Sequence, residues 1–361
     1  MSVVNTGDSF RFFGSDMKTF ANLPAAVYTV SFNMDNGFFL TSHLPFTVTE
    51  KVYGGYDEKV RKIMRTYSAF DRSLGVILTG HKGSGKSLCA KMLAINCVEN
   101  GIPVIVCNQY IKGLVGFIES IPDNCMVLFD EFDKAFPCDD DDSDNPQNSM
   151  LPLFDGTSCG KKLFVVTCNK INGLSNYMIN RPGRFHYNLE FGCPGCIEIE
   201  EYLKDNLKPE YYDKIRDVIA LSYRVDLSYD CLRAIAIELN FGETLNEAMQ
   251  DLNITNDENV YFDVCVRFKD GTEISDTFKS IETRPDYSAK VRMYNKHDDL
   301  VFWFVYNSND IKIDDKRGMY INGEDLKTSD DVAATEDPSK NKREVSRVYF
   351  TRSYTTNKLT V

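Results

Sequence analysis

The sequence predicts an α/β fold in its first half, followed by a helical segment and an all-β region, and three observations carry that prediction. Short apolar runs recur at Gly75-Val76-Ile77-Leu78-Thr79, Ile102-Pro103-Val104-Ile105-Val106-Cys107, Met126-Val127-Leu128-Phe129 and Lys162-Leu163-Phe164-Val165-Val166-Thr167-Cys168, with helical patterns between them. Continuous apolar strands alternating with helices are the mark of a parallel sheet covered on both faces. From Cys196 to about Ile254 the apolar spacing is helical throughout, as in Ile215, Val218, Ile219 and Leu221. Beyond about Glu258 the period changes to two, as in Val260-Tyr261-Phe262-Asp263-Val264-Cys265-Val266-Arg267-Phe268, which ends at a Lys269-Asp270-Gly271-Thr272 turn. The expected divisions are a β-rich N-terminal region at 1–50, an α/β core at 51–192, a helical part at 193–255 and an all-β domain at 256–361.

Composition narrows the classes. A chain of 361 residues with 43% hydrophobic and 26% charged residues has the make-up of a globular protein with ample core. No apolar run approaches the ~18 residues that a membrane helix needs, and Met1-Ser2-Val3-Val4-Asn5-Thr6-Gly7-Asp8 lacks the basic and apolar regions of a secretion signal. The eleven cysteines are scattered, mostly inside apolar segments, which suits a reducing cytoplasm. Cys193-Pro194-Gly195-Cys196 reads as a turn, with zinc or redox chemistry as the alternative. A net charge of −12 argues against wholesale binding of duplex nucleic acid, although a local basic groove would survive that objection.

In chain order, Ala26-Val27-Tyr28-Thr29-Val30-Ser31-Phe32 and Gly37-Phe38-Phe39-Leu40 flank a Met34-Asp35-Asn36-Gly37 turn signal, so a hairpin is expected. Val52-Tyr53-Gly54-Gly55 forms either the wall of a base pocket, with Tyr53 against the base, or a plain turn. Val60, Ile63, Met64 and Tyr67 then mark a helix from Tyr56 to about Phe70. The next strand runs into Gly80-His81-Lys82-Gly83-Ser84-Gly85-Lys86-Ser87, which fits G-x-x-x-x-G-K-[ST] without a gap, and a helix follows. In that context the glycines let backbone N–H groups converge on phosphate oxygens, and the helix N-terminus adds its own. Lys86 would reach the outer phosphates and Ser87 would take a Mg²⁺ position. The apolar strand at 126–129 ends in Asp130-Glu131-Phe132-Asp133, the Walker B arrangement, in which Asp130 would hold the metal and Glu131 would orient and deprotonate the attacking water. Asp139, Asp140, Asp141, Asp142 and Asp144 form an acidic loop, read as solvated. Asn169, at the tip of the next strand, could reach the γ-phosphate or the water; a simple Asn-Lys turn is the alternative.

Asp130-Glu131, then Thr167-Cys168-Asn169, then Asn180-Arg181-Pro182-Gly183-Arg184-Phe185, in this order, resemble Walker B, sensor 1 and the arginine-finger segment of AAA+ ATPases, with the last string closest to the AAA subfamily. The resemblance covers about residues 50–250. It implies ATP and Mg²⁺ as ligands, Asn169 as sensor 1, a small helical lid at 193–255, and Arg181 and Arg184 as fingers acting on the nucleotide of a neighbouring subunit. A finger supplied in trans stabilises charge on the transferred phosphoryl group, so the resemblance implies a homo-oligomeric ring, most often a hexamer. Tyr229-Asp230-Cys231-Leu232-Arg233-Ala234 is similar to a clamp-loader lid helix, which would make Arg233 a sensor 2 residue; a solvated helix face is the alternative. The motif set is also similar to AAA+ proteins of large tailed phages, which would place the chain in a host cytoplasm.

Tyr110, Ile111 and Gly113, or Val115, Gly116 and Phe117, lie about where AAA unfoldases carry a pore loop, and equally suit packing under a helix. Lys340, Lys342, Arg343, Arg347 and Arg352 with Tyr349, Phe350 and Tyr354 could contact single-stranded nucleic acid or be an exposed strand face. Three functions follow from these readings. A ring that remodels or translocates a macromolecular client, a protein rather than a nucleic acid, leads. A nucleic-acid motor or clamp-loader-like ATPase and an ATP-gated scaffold with little turnover are the alternatives.

Overall fold

A computed structural model describes the chain except at residues 1, 6–9, 15–17, 138–144, 156–158, 180–182, 224, 253, 255–260, 282–286, 296, 315–317, 327–343 and 354–361. The acidic loop, Asn180, Arg181, Pro182 and the tail residues Lys340, Lys342, Arg343 and Tyr354 lie outside the described residues. The chain divides into two units, 1–193 and 194–361.

In the first unit, β1 (Ser2–Asn5) and β2 (Phe10–Phe13) form a two-stranded ribbon. They are followed by β3 (Val27–Asn33), β4 (Gly37–Ser42), α1 (Tyr56–Ala69), β5 (Leu74–Gly80), α2 (Lys86–Glu99) and β6 (Val104–Val106). Then come α3 (Leu114–Ser120), β7 (Cys125–Phe129), α4 (Phe132–Ala135), α5 (Pro146–Phe154), β8 (Lys162–Cys168), α6 (Asn176–Ile179) and β9 (Tyr187–Phe191). Seven of these strands make one sheet in the order β4-β3-β6-β7-β8-β5-β9. Every neighbouring pair is parallel except β3 and β4. The chain leaves β5 for β6, steps back through β7 and β8, and passes over β5 to β9. The carboxyl tips of β5, β7 and β8 therefore converge where the strand order reverses, which is where open α/β sheets bind ligands.

The hairpin expected around Met34-Asp35-Asn36-Gly37 forms, with Asn33 opposite Gly37. It continues the core sheet instead of making a sheet of its own, because Val27 and Thr29 pair with Val104 and Val106. Strand β9 has no continuous apolar run. At the sheet edge its side chains are only partly covered, so Asn188 and Glu190 are tolerated there.

Alternation along β5 splits the core into two layers. Val76 and Leu78 pack with Val60, Ile63 and Leu93 of α1 and α2. Ile77 packs on the other face with Phe129, Phe132, Phe154 and Phe164. In that second layer Phe129 meets Phe132, Phe136 and Phe154 edge-on at 5.5–6.0 Å, and Phe132 stacks on Phe136 at 4.5 Å. Each such pair adds about 0.5–1.5 kcal/mol beyond area burial, and together they fix the chain leaving β7. Of the apolar residues considered for a pore loop, Tyr110, Val115 and Phe117 pack against this layer: Tyr110 lies edge-on to Phe136 at 6.0 Å and Phe117 stacks on Phe38 at 5.3 Å.

At the opposite end of the sheet, Lys162 at the start of β8 is fully buried. Its ammonium donates to the carbonyls of Ile121, Asp123 and Cys159 at 2.7, 2.7 and 2.8 Å. Gly160 beside it, at φ +76°, closes onto the Pro122 carbonyl so tightly that a Cβ would lie 2.2 Å from that oxygen.

The second unit begins with α7 (Cys196–Asn206), α8 (Ile215–Ser222), α9 (Tyr229–Phe241) and α10 (Leu245–Asp251). These helices bury Ile199, Leu203, Val218, Leu232, Ile235 and Leu239, the residues of the helical period. Where a turn was expected at Cys193-Pro194-Gly195-Cys196, residues 193–195 are irregular backbone with no assigned turn; Gly195 is the N-cap of α7, and Cys196 Sγ lies 2.9 Å from Tyr223 Oη. Strands β10 (Tyr261–Phe268), β11 (Glu273–Ser280), β12 (Ser288–Tyr294), β13 (Leu300–Asn307), β14 (Lys312–Asp314), β15 (Gly318–Asn322) and β16 (Val345–Arg352) follow. A five-stranded sheet, β11-β10-β16-β15-β14, and the ribbon β12-β13 share one core of Val264, Val266, Phe350, Met293, Phe302 and Phe304. Arg347 and Tyr349 alternate with the buried Val348 and Phe350, and the Arg347 guanidinium lies 4.8 Å over the Tyr320 ring.

Candidate nucleotide-binding site

The loop between β5 and α2 is shaped by glycines at positive φ: Gly80 at +145°, Gly83 at +73° and Gly85 at +92°. Two of them also permit close approach. A Cβ on Gly80 would lie 2.1 Å from the Phe191 carbonyl oxygen, and one on Gly85 would lie 2.3 Å from Tyr56 Oη. Tyr56 in turn donates its hydroxyl to the Ser84 carbonyl at 2.8 Å, propping the loop from α1. His81 and Lys82 are exposed, and Ser84 is buried with an Oγ that has no partner among the described residues. An orphaned hydroxyl beneath a glycine cradle at a helix N-terminus is a donor set suited to phosphate oxygens.

Lys86 is buried to 8% exposure. Its Nζ donates to the carbonyls of Gly80 and His81 at 2.6 and 2.7 Å and to Asn169 Oδ1 at 3.3 Å. Burial pulls its pKa below the ordinary lysine value, and the carboxylates of Asp133, Asp130 and Glu131 oppose that shift. Thus the structure brings together Lys86, the Walker B acids and Asn169, which come from three separate segments of the sequence.

Asp130 follows the end of β7. Its Oδ1 accepts from Ser87 Oγ at 3.1 Å and from Thr167 Oγ1 at 2.6 Å. A serine hydroxyl beside a carboxylate is the oxygen-only chemistry that Mg²⁺ takes, so Ser87 and Asp130 fit the metal position expected of them. Glu131 adopts φ 49°, ψ 47°, and its N–H donates to Thr167 Oγ1 at 2.8 Å. Its carboxylate pairs with Lys134 at 2.5 Å, both side chains being about half exposed. The Asn169 N–H donates to Asp133 Oδ2 at 3.1 Å, so the side chain of one motif fixes the backbone of the next.

A second network, not foreseen in the sequence, holds this arrangement from behind. Gln147, fully buried in the first turn of α5, donates to the carbonyls of Phe136 and Gly173, both at 2.9 Å, and accepts from Ser175 N–H at 2.7 Å. It thereby ties the chain after Glu131 to the chain after Asn169. A fully buried Gln must find partners for its amide, but one sequence does not say which.

Arg184, expected as a finger, makes intrachain contacts here. Its guanidinium is buried and held inside its own subunit: Nε and Nη2 donate to the two carboxylate oxygens of Asp155 at 2.6 and 2.7 Å, and Nη1 to the Tyr177 carbonyl at 2.7 Å. Two-pronged pairing with a carboxylate is the strongest arrangement open to an arginine, and here it ties the segment after α6 to Asp155. The backbone here also closes on β5, since His186 N–H donates to the Gly75 carbonyl at 2.9 Å and a Cβ on Gly75 would meet the Arg184 oxygen. Arg181 lies outside the described residues. Tyr53 is half-buried with the Lys51 ammonium 5.1 Å over its ring; three residues on, Tyr56 makes the contact with the glycine loop. Arg233 lies on α9 of the second unit with its side chain exposed.

Comparison with known proteins agrees with this geometry. Residues 76–193 match the family described as "ATPase family associated with various cellular activities (AAA)". Over 164 residues the chain is 30% identical to the peroxisomal ATPase PEX1 of Arthrobotrys oligospora, covering 41% of this chain and 14% of that protein. Over 159 residues it is 27% identical to the chloroplastic ATP-dependent zinc metalloprotease FTSH 6 of Arabidopsis thaliana, covering 39% of this chain and 23% of that one. Over 149 residues it is 28% identical to the ATP-dependent zinc metalloprotease FtsH 1 of a Thermoanaerobacter species, covering 36% and 24%. The chain thus spans less than a quarter of the length of these relatives. The match is carried by the strands, glycine loop and acidic tip of residues 76–193, which thus form a domain of the AAA ATPase type.

Proposed function

We propose that the chain hydrolyses ATP with Mg²⁺ at sites completed between the subunits of a homo-oligomeric ring, most often a hexamer in this family, and that hydrolysis drives remodelling or translocation of a protein client. The observation that carries this reading is the convergence of Lys86, Asn169, Asp130 and Glu131 at adjacent strand tips. Lys86 exchanges its carbonyl partners for the outer phosphates, and Asn169, already in contact with its ammonium, follows it. Mg²⁺, when bound near Ser87 and Asp130, neutralises phosphate charge. Glu131 releases Lys134, orients the attacking water and takes its proton. Arg181 and Arg184 act on the nucleotide of the next subunit. Tyr53 borders the base, and Arg233 acts as sensor 2. Relatives named as a peroxisomal ATPase and as ATP-dependent metalloproteases favour a protein client over DNA. No helix among the described residues is long and apolar enough to cross a membrane, and the cytoplasm is the compartment we infer.

The test mixes two inactive variants. Subunits carrying Glu131→Gln still present Arg181, and subunits carrying Arg181→Ala still hold a working base. Mixed assemblies regain part of the ATPase rate if the finger acts in trans. No recovery at any ratio, with co-assembly verified, overturns the composite site.

A further inference from the structure

Thr167 carries a role that neither the motifs nor the family match assigns. It sits in β8 with 1% of its surface exposed, one strand away from the Asp130–Glu131 tip. Its hydroxyl has one proton to give and lone pairs to receive, and the structure uses both. Oγ1 donates to Asp130 Oδ1 at 2.6 Å and accepts from the Glu131 N–H at 2.8 Å. With Ser87 Oγ donating to the same Oδ1 at 3.1 Å, a directed chain runs from the Glu131 amide through Thr167 to Asp130, where the Ser87 hydroxyl joins it. Among the described residues both hydrogen bonds to this carboxylate fall on Oδ1, which leaves Oδ2 as its open oxygen. The Glu131 backbone at the other end of the chain is left-handed, a conformation costly for a residue with a side chain.

We propose that Thr167 is a positioning residue for the Walker B pair: it fixes the rotation of the Asp130 carboxylate, so that Oδ2 faces the metal position, and pins Glu131 in the backbone conformation that aims its carboxylate. The inference rests on the hydrolytic reading above for its kinetic arm only. β-Branched residues suit a buried strand, so packing alone would be served as well by Val. The hydroxyl is what the two contacts use.

Thr167→Val keeps the shape and removes the hydroxyl. In the full chain, Mn²⁺ titrated as an electron-spin-resonance probe in the presence of ADP should bind about ten- to a hundredfold more weakly, the range for losing a hydrogen bond to a charged group. Binding of nucleotide without metal should change less than twofold. Hydrogen exchange at the Glu131 amide should quicken at least tenfold, and kcat should fall at least tenfold with a smaller change in KM. Thr167→Ser should restore all three. If the Val variant does not fold, Thr167→Ala takes its place. Unchanged metal affinity and amide exchange in a folded variant, or a folded Ser variant that fails to restore them, overturns the proposal. A wild-type chain that does not turn over ATP defeats the hydrolytic reading alone, because metal affinity and amide exchange still test Thr167.

Discussion

Lys86 at the start of α2 and Lys162 at the start of β8 are both buried lysines, and their difference separates the working end of the sheet from its base. Each ammonium is pulled below the ordinary lysine value by desolvation, and each is met by main-chain carbonyls. Lys162 uses all three of its donors on the carbonyls of Ile121, Asp123 and Cys159, and so staples two loops. Lys86 also makes three contacts, but one is a longer bond to the Asn169 side chain, and three carboxylates share its surroundings. Its partners belong to a glycine loop at positive φ and to residues that a ligand can engage. A lysine saturated by fixed carbonyls holds structure; one among replaceable partners can change them.

Removing each lysine should break the comparison in opposite ways. Lys162→Met leaves three buried carbonyls without their donor and should lower unfolding free energy by about 3 kcal/mol, read by urea denaturation, with nucleotide affinity nearly unchanged. Lys86→Met should leave stability within about 1 kcal/mol, because it removes a desolvated charge whose carbonyl partners lie beside solvent. It should weaken ATP binding about ten- to a hundredfold, read by calorimetry. If the two variants showed the same profile, the distinction would fall.

A smaller effect sharpens the picture of the core through pH. Burial pushes the thiols of Cys89 and Cys125 up to about 11, and those of Cys97 and Cys168 up to about 12, from an ordinary 9.0. Between pH 9 and those values the unfolded chain releases protons that the folded chain keeps, so stability falls as pH rises. The two lysines act the other way. Their folded values lie below 10.5, the unfolded chain binds more protons there, and their contribution improves as pH climbs toward 10.5. Five thiols, counting Cys107, which burial also pushes up, against two lysines predict a net decline in unfolding free energy from pH 8 to pH 10. A flat or rising profile would contradict it.

The parts of the site legible in the sequence were those carried by contiguous residues. The glycine loop at 80–87 and the acids at 130–131 are local patterns with their strand and helix on either side, and all are where the patterns put them. What escaped depends on partners distant in the chain. The N-terminal hairpin looked separate because its pairing with β6 joins residues more than seventy positions apart, as in Val27 opposite Val104. Strand β9 escaped because an edge position does not demand an apolar run. The pairing of Arg184 with Asp155 joins residues 29 positions apart, so its string carries no sign of it. Tyr56, Gln147 and Thr167 are ordinary residues in helices and a strand until the backbone sets each within hydrogen-bonding reach of the site.

The most direct measurement of the central claim is ATP binding and turnover by wild type and Glu131→Gln side by side. The geometry predicts that the Gln variant binds ATP as tightly as wild type and hydrolyses it about 10²–10⁴-fold more slowly, the range for losing a general base. Hydrolysis at the wild-type rate by the Gln variant would contradict the assignment of Glu131 as the base, and with it the composite site built around it.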